Sequence, residues 1–410
     1  MRVVHLNTMA SRGGAGQAAS RLHLALCGEG VDSRLRAQFE AAAERSGVSG
    51  PTGKLAKAAA LLRDAAATLP LVPYRKSPGD IFSADMLLSR TARDVQALAP
   101  DLVHLHWINA GFVPIHLLRR LARPLVWTLH DMWPLTGGCH HARGCGGFRS
   151  ACGHCPVLHS RHGMDLSRAV MRWKARCWRG LDIHLVAPSH WMAEQARGSS
   201  LFGDAPVSVI PNGLDLAVYR PWDRKLARAL LQLPEGPLVL FSGAKGLATP
   251  YKGGDTAVQA VAGLRAAGHD ATLVVMGGGA PADGGSLPVP VHWLGQLHDD
   301  ASRALAHAAA DLCLSCSSED NLPYTVAESL ACGTPVVAYQ VGGLPDMVDD
   351  GSNGCLVVPG DVAGLVHGMA AVLADRQSFS PAARHKAEQA FDIHQVARSH
   401  RQLYERLLAR

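Results

Sequence analysis

The residues best suited to chemistry lie late in the chain. Glu319-Asp320-Asn321-Leu322-Pro323 leads into a helix-forming run that carries Glu328 and ends in Ser329-Leu330-Ala331-Cys332-Gly333-Thr334-Pro335-Val336-Val337-Ala338. This stretch follows a strand expected at 311–315. In open α/β sheets ligands bind beyond the carboxyl ends of the strands. Pro323 suits the opening of a helix. Residues 319–322 then form the loop ahead of it, and Glu328 sits about a turn and a half inside. A carboxylate near a phosphate site is unfavourable unless it reads a neutral hydroxyl, as acidic residues read ribose. The alternative is that Asp320 caps the helix and Glu328 faces solvent.

Two further groupings have chemical potential. Gly13, Gly14 and Gly16 stand between a first strand and a first helix, where glycines admit close backbone approach and a helix N-terminus favours anions. They do not fit G-x-G-x-x-G, so a tight strand-to-helix turn explains them equally well. Cys139, Cys145, Cys152 and Cys155 fall within 17 residues of a glycine-rich loop, with His140, His141 and His154 among them. Four soft ligands so close suit tetrahedral zinc. Unpaired thiols or an adventitious disulfide are the alternatives. Cys313 and Cys316 bracket the end of a buried strand and read as core.

The elements that must hold these groups alternate. Strands are expected at 2–7, 101–106, 124–129 and 183–187, then at 206–210, 238–242, 271–277, 311–315, 334–338 and 354–358. Helical patterns at 17–28, 113–122, 253–267, 299–310 and 361–374 separate many of them. Such alternation implies parallel sheets covered on both faces. At 410 residues the chain suits two α/β domains, expected at 1–200 and 206–392, with a last helix at 393–410 packing back on the first. Residues 277–285 read as a flexible loop. A strand at the very start, and no apolar run of about 18 residues, point to a cytoplasmic protein. The net charge of +6 suits phosphates or an anionic membrane surface and does not call for nucleic acid.

Taken together, the motifs resemble the retaining family-4 glycosyltransferases of GT-B fold, in which two Rossmann-like domains face each other across a cleft. The likeness runs from Trp127-Thr128-Leu129-His130-Asp131-Met132-Trp133-Pro134 through Val209-Ile210-Pro211-Asn212-Gly213-Leu214-Asp215 and Tyr251-Lys252-Gly253 to the 320–338 stretch and Gly342-Gly343-Leu344-Pro345-Asp346. The first of these resembles the exopolysaccharide branch of colanic-acid type. The resemblance implies that Glu328 contacts the donor ribose and that Asp320 approaches the transferred sugar. Aspartate there departs from the family's glutamate by one methylene, and Glu319 sits beside it one position out of register. Lys252 corresponds to the lysine on the donor diphosphate, and His130 to a donor-sugar contact. The family's upstream arginine is missing from Ser242-Gly243-Ala244-Lys245, so Lys245 is the candidate substitute, as a point charge rather than a planar fork. Asn321, Leu322, Gly253 and Asn212 complete the expected donor contacts.

The donor implied is a GDP- or UDP-linked sugar, and the acceptor a glycan or lipid-linked glycan. The sequence contains no D-x-D. Lysines and helix N-termini near Gly253 and Leu322 would then offset the leaving diphosphate with no metal cofactor in catalysis, leaving zinc a structural part. Retention of anomeric configuration follows from the resemblance. The competing classes are a non-catalytic nucleotide-sugar-binding protein and a sugar-nucleotide epimerase or phosphorylase. Two basic amphipathic stretches, 54–76 and 161–180, suit an anionic headgroup layer, at about 1 kcal/mol per basic residue. Their alternative is ordinary helices with the apolar stripe in the core.

Overall fold

The computed structural model describes residues 1–39, 47–75, 79–86, 89, 91–279 and 287–410. Lys76 and most of the expected loop at 277–285 lie outside the described residues. The chain divides into two compact units, one of Met1–Gly213 with Ile393–Arg410, the other of Leu214–Asp392.

The first unit is built on a seven-stranded parallel sheet. Its strands are β1 (Arg2–Met9), β2 (Asp32–Phe39), β3 (Val48–Ser49), β4 (Leu102–Leu105), β5 (Leu125–Thr128), β6 (Ile183–Ala187) and β7 (Val207–Val209), in the order β3-β2-β1-β4-β5-β6-β7. β1, β4, β5 and β6 are buried along almost their whole length because both sheet faces are covered, so even their histidines lie inside. β7 pairs with β6, Leu185 opposite Val207. The strand expected at 206–210 to open the second domain therefore closes the first sheet. Residues 197–206, whose small and turn-forming composition suggests a domain boundary, connect helix His190–Arg197 to β7 inside one unit.

The first helix starts at Gly13, not at 17, so the glycine run forms its first turn. Gly16 there has a specific reason: a Cβ would lie 3.3 Å from the Met9 carbonyl oxygen, against the strand it follows. The helical pattern at 113–122 yields only a 3-10 turn and Leu118–Leu121. Helix Ile393–Leu408 buries Val396, Leu403, Tyr404 and Leu407 beside Leu22 and Leu26 of the first helix and Val3, Leu102 and Val126 of the sheet. Arg401 of this helix reinforces the contact, its guanidinium donating to the Glu29 carbonyl at 2.9 Å.

The second unit carries β8 (Leu238–Ser242), β9 (Ala244–Leu247), β10 (Thr272–Met276), β11 (Val291–Gly295), β12 (Leu312–Ser315), β13 (Val336–Tyr339) and β14 (Gly354–Val357). Six of them form a parallel sheet in the order β11-β10-β8-β12-β13-β14. β2, β3, β9 and β11 escape the sequence reading: β2 alternates charged and apolar residues in place of an apolar run, β11 is only half-buried, and β3 and β9 are short. The chain leaves β8 toward β10 on one side and returns to β12 on the other. The crevice beyond β8 and β12 is thus the topological switch point, the place where such sheets bind ligands. In the first sheet the corresponding switch lies between β1 and β4.

Candidate functional site

In the second unit the switch point brings Lys252 and Asp320 together. Lys252 ends a 3-10 turn, Pro250–Lys252, that precedes helix Gly254–Ala266. Asp320 lies in the loop after β12. The lysine Nζ donates to Asp320 Oδ2 at 2.5 Å, and both side chains are largely covered. Burial alone would lower the lysine pKa; the adjoining carboxylate outweighs it and raises the pKa instead. The Ser318 amide donates to the Tyr251 carbonyl at 2.9 Å, tying the two loops into one structure. Glycines permit the approach. Gly253 has φ +73, and a Cβ there would collide with the Cys316 carbonyl oxygen. Gly342, with φ +55, leaves no room for a Cβ beside the Asp320 carbonyl, and the Gly343 amide donates to that same oxygen at 3.0 Å. So the second glycine pair, far along the chain, shapes the backbone that presents Asp320.

Behind this pair lies Glu328, in helix Tyr324–Ala331 with Pro323 at its N-cap. It is not a solvated face residue, being only 2% exposed. The Tyr219 hydroxyl donates to its Oε1 at 3.0 Å, Arg303 Nε stands 3.8 Å from that oxygen, and His307 Nε2 is 3.4 Å from Oε2. Arg303 also donates to Tyr219 and pairs with Asp300. Burial would lower the Arg303 pKa, but the Tyr219 hydrogen bond and the Glu328 charge raise it. This cage of Tyr219, Arg303 and His307 was not foreseen. Arg303 and His307 belong to an otherwise ordinary amphipathic helix, and Tyr219 to a connection with no motif of its own.

In the first unit His130 follows β5 and ends a row of buried imidazoles. His5 Nδ1 meets His106 Nε2 at 3.0 Å, and His106 Nδ1 meets His130 Nε2 at 2.9 Å. His104 completes the group, bonded to the Tyr404 hydroxyl at 2.6 Å and to Thr128 at 2.7 Å. Burial is the largest cause that pushes the pKa of His130 down to about 4, and it holds those of His5, His104 and His106 well below the usual range. The row is therefore neutral at pH 7. His5 Nε2 is buried without a hydrogen-bond partner. A buried donor without an acceptor is rarer than a bare acceptor. The hydrogen-bond network therefore assigns each proton to Nδ1, donated toward the next ring, so that His130 accepts at Nε2 and carries its own proton on Nδ1.

The next residue, Asp131, gathers the loop that follows. Its Oδ2 accepts from Trp107 Nε1 at 2.9 Å and meets His140 Nδ1 at 2.6 Å, and its Oδ1 accepts from the Trp133 amide at 2.9 Å. Burial would raise its pKa; the His140 interaction prevails and lowers it. His5, His104 and His106 are the only group of three or more ligand side chains, among the described residues, with ligand atoms all within 4.8 Å. Their nitrogens, except His5 Nε2, are committed to one another and to Thr128, Tyr404 and His130.

A profile described as Glycosyltransferase Family 4 matches residues 12–218, and one described as Glycosyl transferases group 1 matches residues 236–375. The chain belongs to glycosyltransferase family 4. Among its relatives is a protein of Escherichia coli strain K12 assigned to colanic acid biosynthesis as the glycosyl transferase WcaC, 27% identical over 61% of this chain and 61% of that protein. The D-inositol 3-phosphate glycosyltransferase of Nocardiopsis dassonvillei is 31% identical over 69% of this chain and 65% of its own length. The chain thus spans a little under two thirds of the length of these curated relatives. Among solved structures, sucrose-phosphate synthase from Thermosynechococcus elongatus superposes with TM-score 0.69 at 20% identity, covering 100% of this chain and 99% of that one. Anabaena HepE, in complex with UDP and glucose, gives TM-score 0.68 at 20% identity, with 100% of both chains covered. The fold is GT-B.

The remaining predicted residues of this family-4 chain divide as follows. Lys245 sits in β9 with an exposed side chain, its amide bonded to Thr249 Oγ1 at 2.8 Å. Glu319 is buried at the edge of the Asp320 loop, and Asn321 is half-buried. Leu322 packs into the core, so only its backbone can serve a ligand. Asn212 lies in the first unit rather than the second, in the connection after β7. Gly13 opens the first helix with φ +70, and Gly14 is exposed beside it. The four loop cysteines line one small cavity in the first unit.

Proposed function

We propose that this family-4 glycosyltransferase works with retention, moving a sugar from a UDP- or GDP-linked donor to a lipid-linked glycan acceptor in bacterial polysaccharide assembly. The observation that carries this reading is the Lys252–Asp320 pair at the β8/β12 switch point, flanked by the N-termini of helices Gly254–Ala266 and Tyr324–Ala331. Cationic nitrogen and helix N-termini stabilise a departing diphosphate. A diphosphate arriving there competes with Asp320 for Lys252, leaving the carboxylate free to face the transferred sugar. Glu328 accepts hydrogen bonds from the ribose. Neutral His130, donating from Nδ1, contacts the sugar without adding charge. The departing phosphate oxygen takes the acceptor proton, so no protein nucleophile and no metal are needed. The UDP and glucose held by Anabaena HepE and the colanic-acid assignment of the Escherichia coli relative support this choice of donor and acceptor class.

Membrane proximity of the acceptor fits segment 54–75. Leu55, Leu61, Leu62, Leu69 and Val72 are exposed there, Leu55 by 88%, beside Lys54, Lys57 and Arg75. That pattern favours an interfacial helix over a core-facing one. The second stretch, 161–180, behaves otherwise: Trp178 and Lys174 are buried and Trp173 packs on the core, leaving Arg161, Arg172, Arg176 and Arg179 exposed. Peripheral attachment to anionic lipid is therefore assigned to the first stretch. No helix among the described residues is long and apolar enough to cross a membrane.

The test is nucleoside diphosphate release from a panel of UDP- and GDP-sugars, with and without a crude lipid-linked acceptor, and the product anomer read by NMR. Acceptor-dependent release that survives brief chelation supports the reading. Inverted product, or activity lost on chelation and restored by magnesium, overturns its mechanism. Indifference to anionic vesicles at low salt removes the membrane element.

A further inference from the structure

We propose that Cys139, Cys145, Cys152 and Cys155 form a structural zinc site, one Zn²⁺ per chain, that fastens the long loop between β5 and β6. Three observations converge on it. All four cysteines line one cavity, whose walls are otherwise mainly glycine and apolar residues such as Phe148 and Val157, with no carboxylate or imidazole among them. A closed set of four thiolates is what structural zinc selects.

The loop itself is shaped as a clamp would shape it. Between Leu129 and Asp165 its regular structure amounts to the 3-10 turns Trp133–Leu135 and Gly147–Arg149. Four of its non-glycine residues, Arg143, Cys152, His154 and His159, hold φ near +50. Each such residue costs about 1–2 kcal/mol, and such conformations persist only where the surroundings over-determine them. Two of the four are a proposed ligand, Cys152, and one of the two residues between it and Cys155.

The charge around the cavity has the required sign. Binding Zn²⁺ releases four thiol protons to solvent and leaves the centre with a net charge of −2. Arg168 Nε is buried without a hydrogen-bond partner and packs against Gly153, between Cys152 and Cys155. Lys174, wholly buried, donates to the carbonyls of Trp133 and Thr136, at 2.5 and 2.9 Å, beneath the same loop. The Gly137 amide already points at Cys152 Sγ, at 3.3 Å. No three of the four sulfurs lie within 4.8 Å of one another, whereas tetrahedral ligation at Zn–S of about 2.3 Å places them roughly 3.8 Å apart. Gly137, Gly138, Gly144, Gly146, Gly147 and Gly153 give the backbone the freedom to close that distance.

The site would hold more than itself. Cys139 precedes His140, whose carbonyl accepts from the Met132 amide and whose ring meets Asp131, next to His130. Zinc thus anchors the far side of the segment that presents His130.

The experiment is elemental analysis of the full chain, purified under reducing conditions without chelator, followed by cobalt substitution. The expected result is about one zinc per chain, falling at least tenfold in Cys152→Ser/Cys155→Ser and unchanged in Cys177→Ser. Cobalt should give the intense sulfur-to-metal charge-transfer absorption of a four-thiolate site. Should the double variant fail to fold, the wild type still decides, because in the zinc-loaded protein the four thiols resist alkylation until metal is removed. A metal-free chain with all four thiols reactive overturns the proposal. So do disulfides among them in protein kept reduced, or iron with acid-labile sulfide in place of zinc.

Discussion

The two units handle buried polar groups in opposite ways. The first unit removes charge: five imidazoles, His5, His104, His106, His130 and His400, are buried together and kept neutral by desolvation. The second unit keeps charge and pairs it: Lys252 with Asp320, and Arg303 with Asp300 and Glu328. Desolvation disfavours a charged group unless a partner repays it. A neutral imidazole suits hydrogen bonding to hydroxyls, whereas a paired lysine can be recruited by an anion. The contrast fits the roles proposed above for His130 and Lys252.

The largest expected effect tests the paired side. Glu328→Gln preserves the acceptor for the Tyr219 hydroxyl but removes the charge facing Arg303, and transfer should fall by about 100-fold or more while melting changes little. A variant with wild-type turnover would remove Glu328 from the donor site.

Next is the Lys252–Asp320 pair. Lys252→Ala leaves a mostly covered carboxylate without its cation and should cost about 3 kcal/mol of stability, with transfer lost. Lys252→Met with Asp320→Asn should recover most of that stability and none of the activity. If the double variant melts no higher than the single one, the pairing described here does not carry the cost. Urea unfolding of the three chains gives the answer.

A smaller effect probes the neutral side. His106→Phe breaks the row that sets the His130 tautomer. It should lower kcat about tenfold with KM for the donor nearly unchanged. His106→Gln, which can still donate to His130 Nε2, should restore part of it. Equal losses in both variants would mean that His106 acts only through packing.

The mildest prediction is a pH slope. The folded imidazoles titrate below their ordinary value of about 6.5, His130 and His400 at about 4. The unfolded chain therefore takes up protons between these values that the folded chain refuses, and stability is lost as pH falls from about 6.5 to about 4. Tm measured across that window should drop, and less steeply in His400→Gln. A flat profile would contradict burial as the origin of the neutral row.

Local sequence determined much of this protein. Apolar runs bounded by turn residues specify strands wherever both sheet faces are covered, so β1, β5, β6, β8, β10, β12 and β13 are legible from residue type alone. The spacing from Asp320 to Glu328 and the proline ahead of the helix fix which residue lies in the loop and which in the helix. The tertiary structure decided what depends on partners far along the chain. Parallel neighbours are always separated by a crossover, so nothing local could assign Val207–Val209 to the first sheet. His5 meets His106 across 101 residues and Tyr219 meets Glu328 across 109. Two basic amphipathic stretches that read alike from composition part company only in the fold: burial takes up the tryptophans of the helix Leu166–Trp178 and leaves the leucines of Gly53–Ala67 in water. Periodicity reports that a residue can be buried; which surface buries it is set by the rest of the chain.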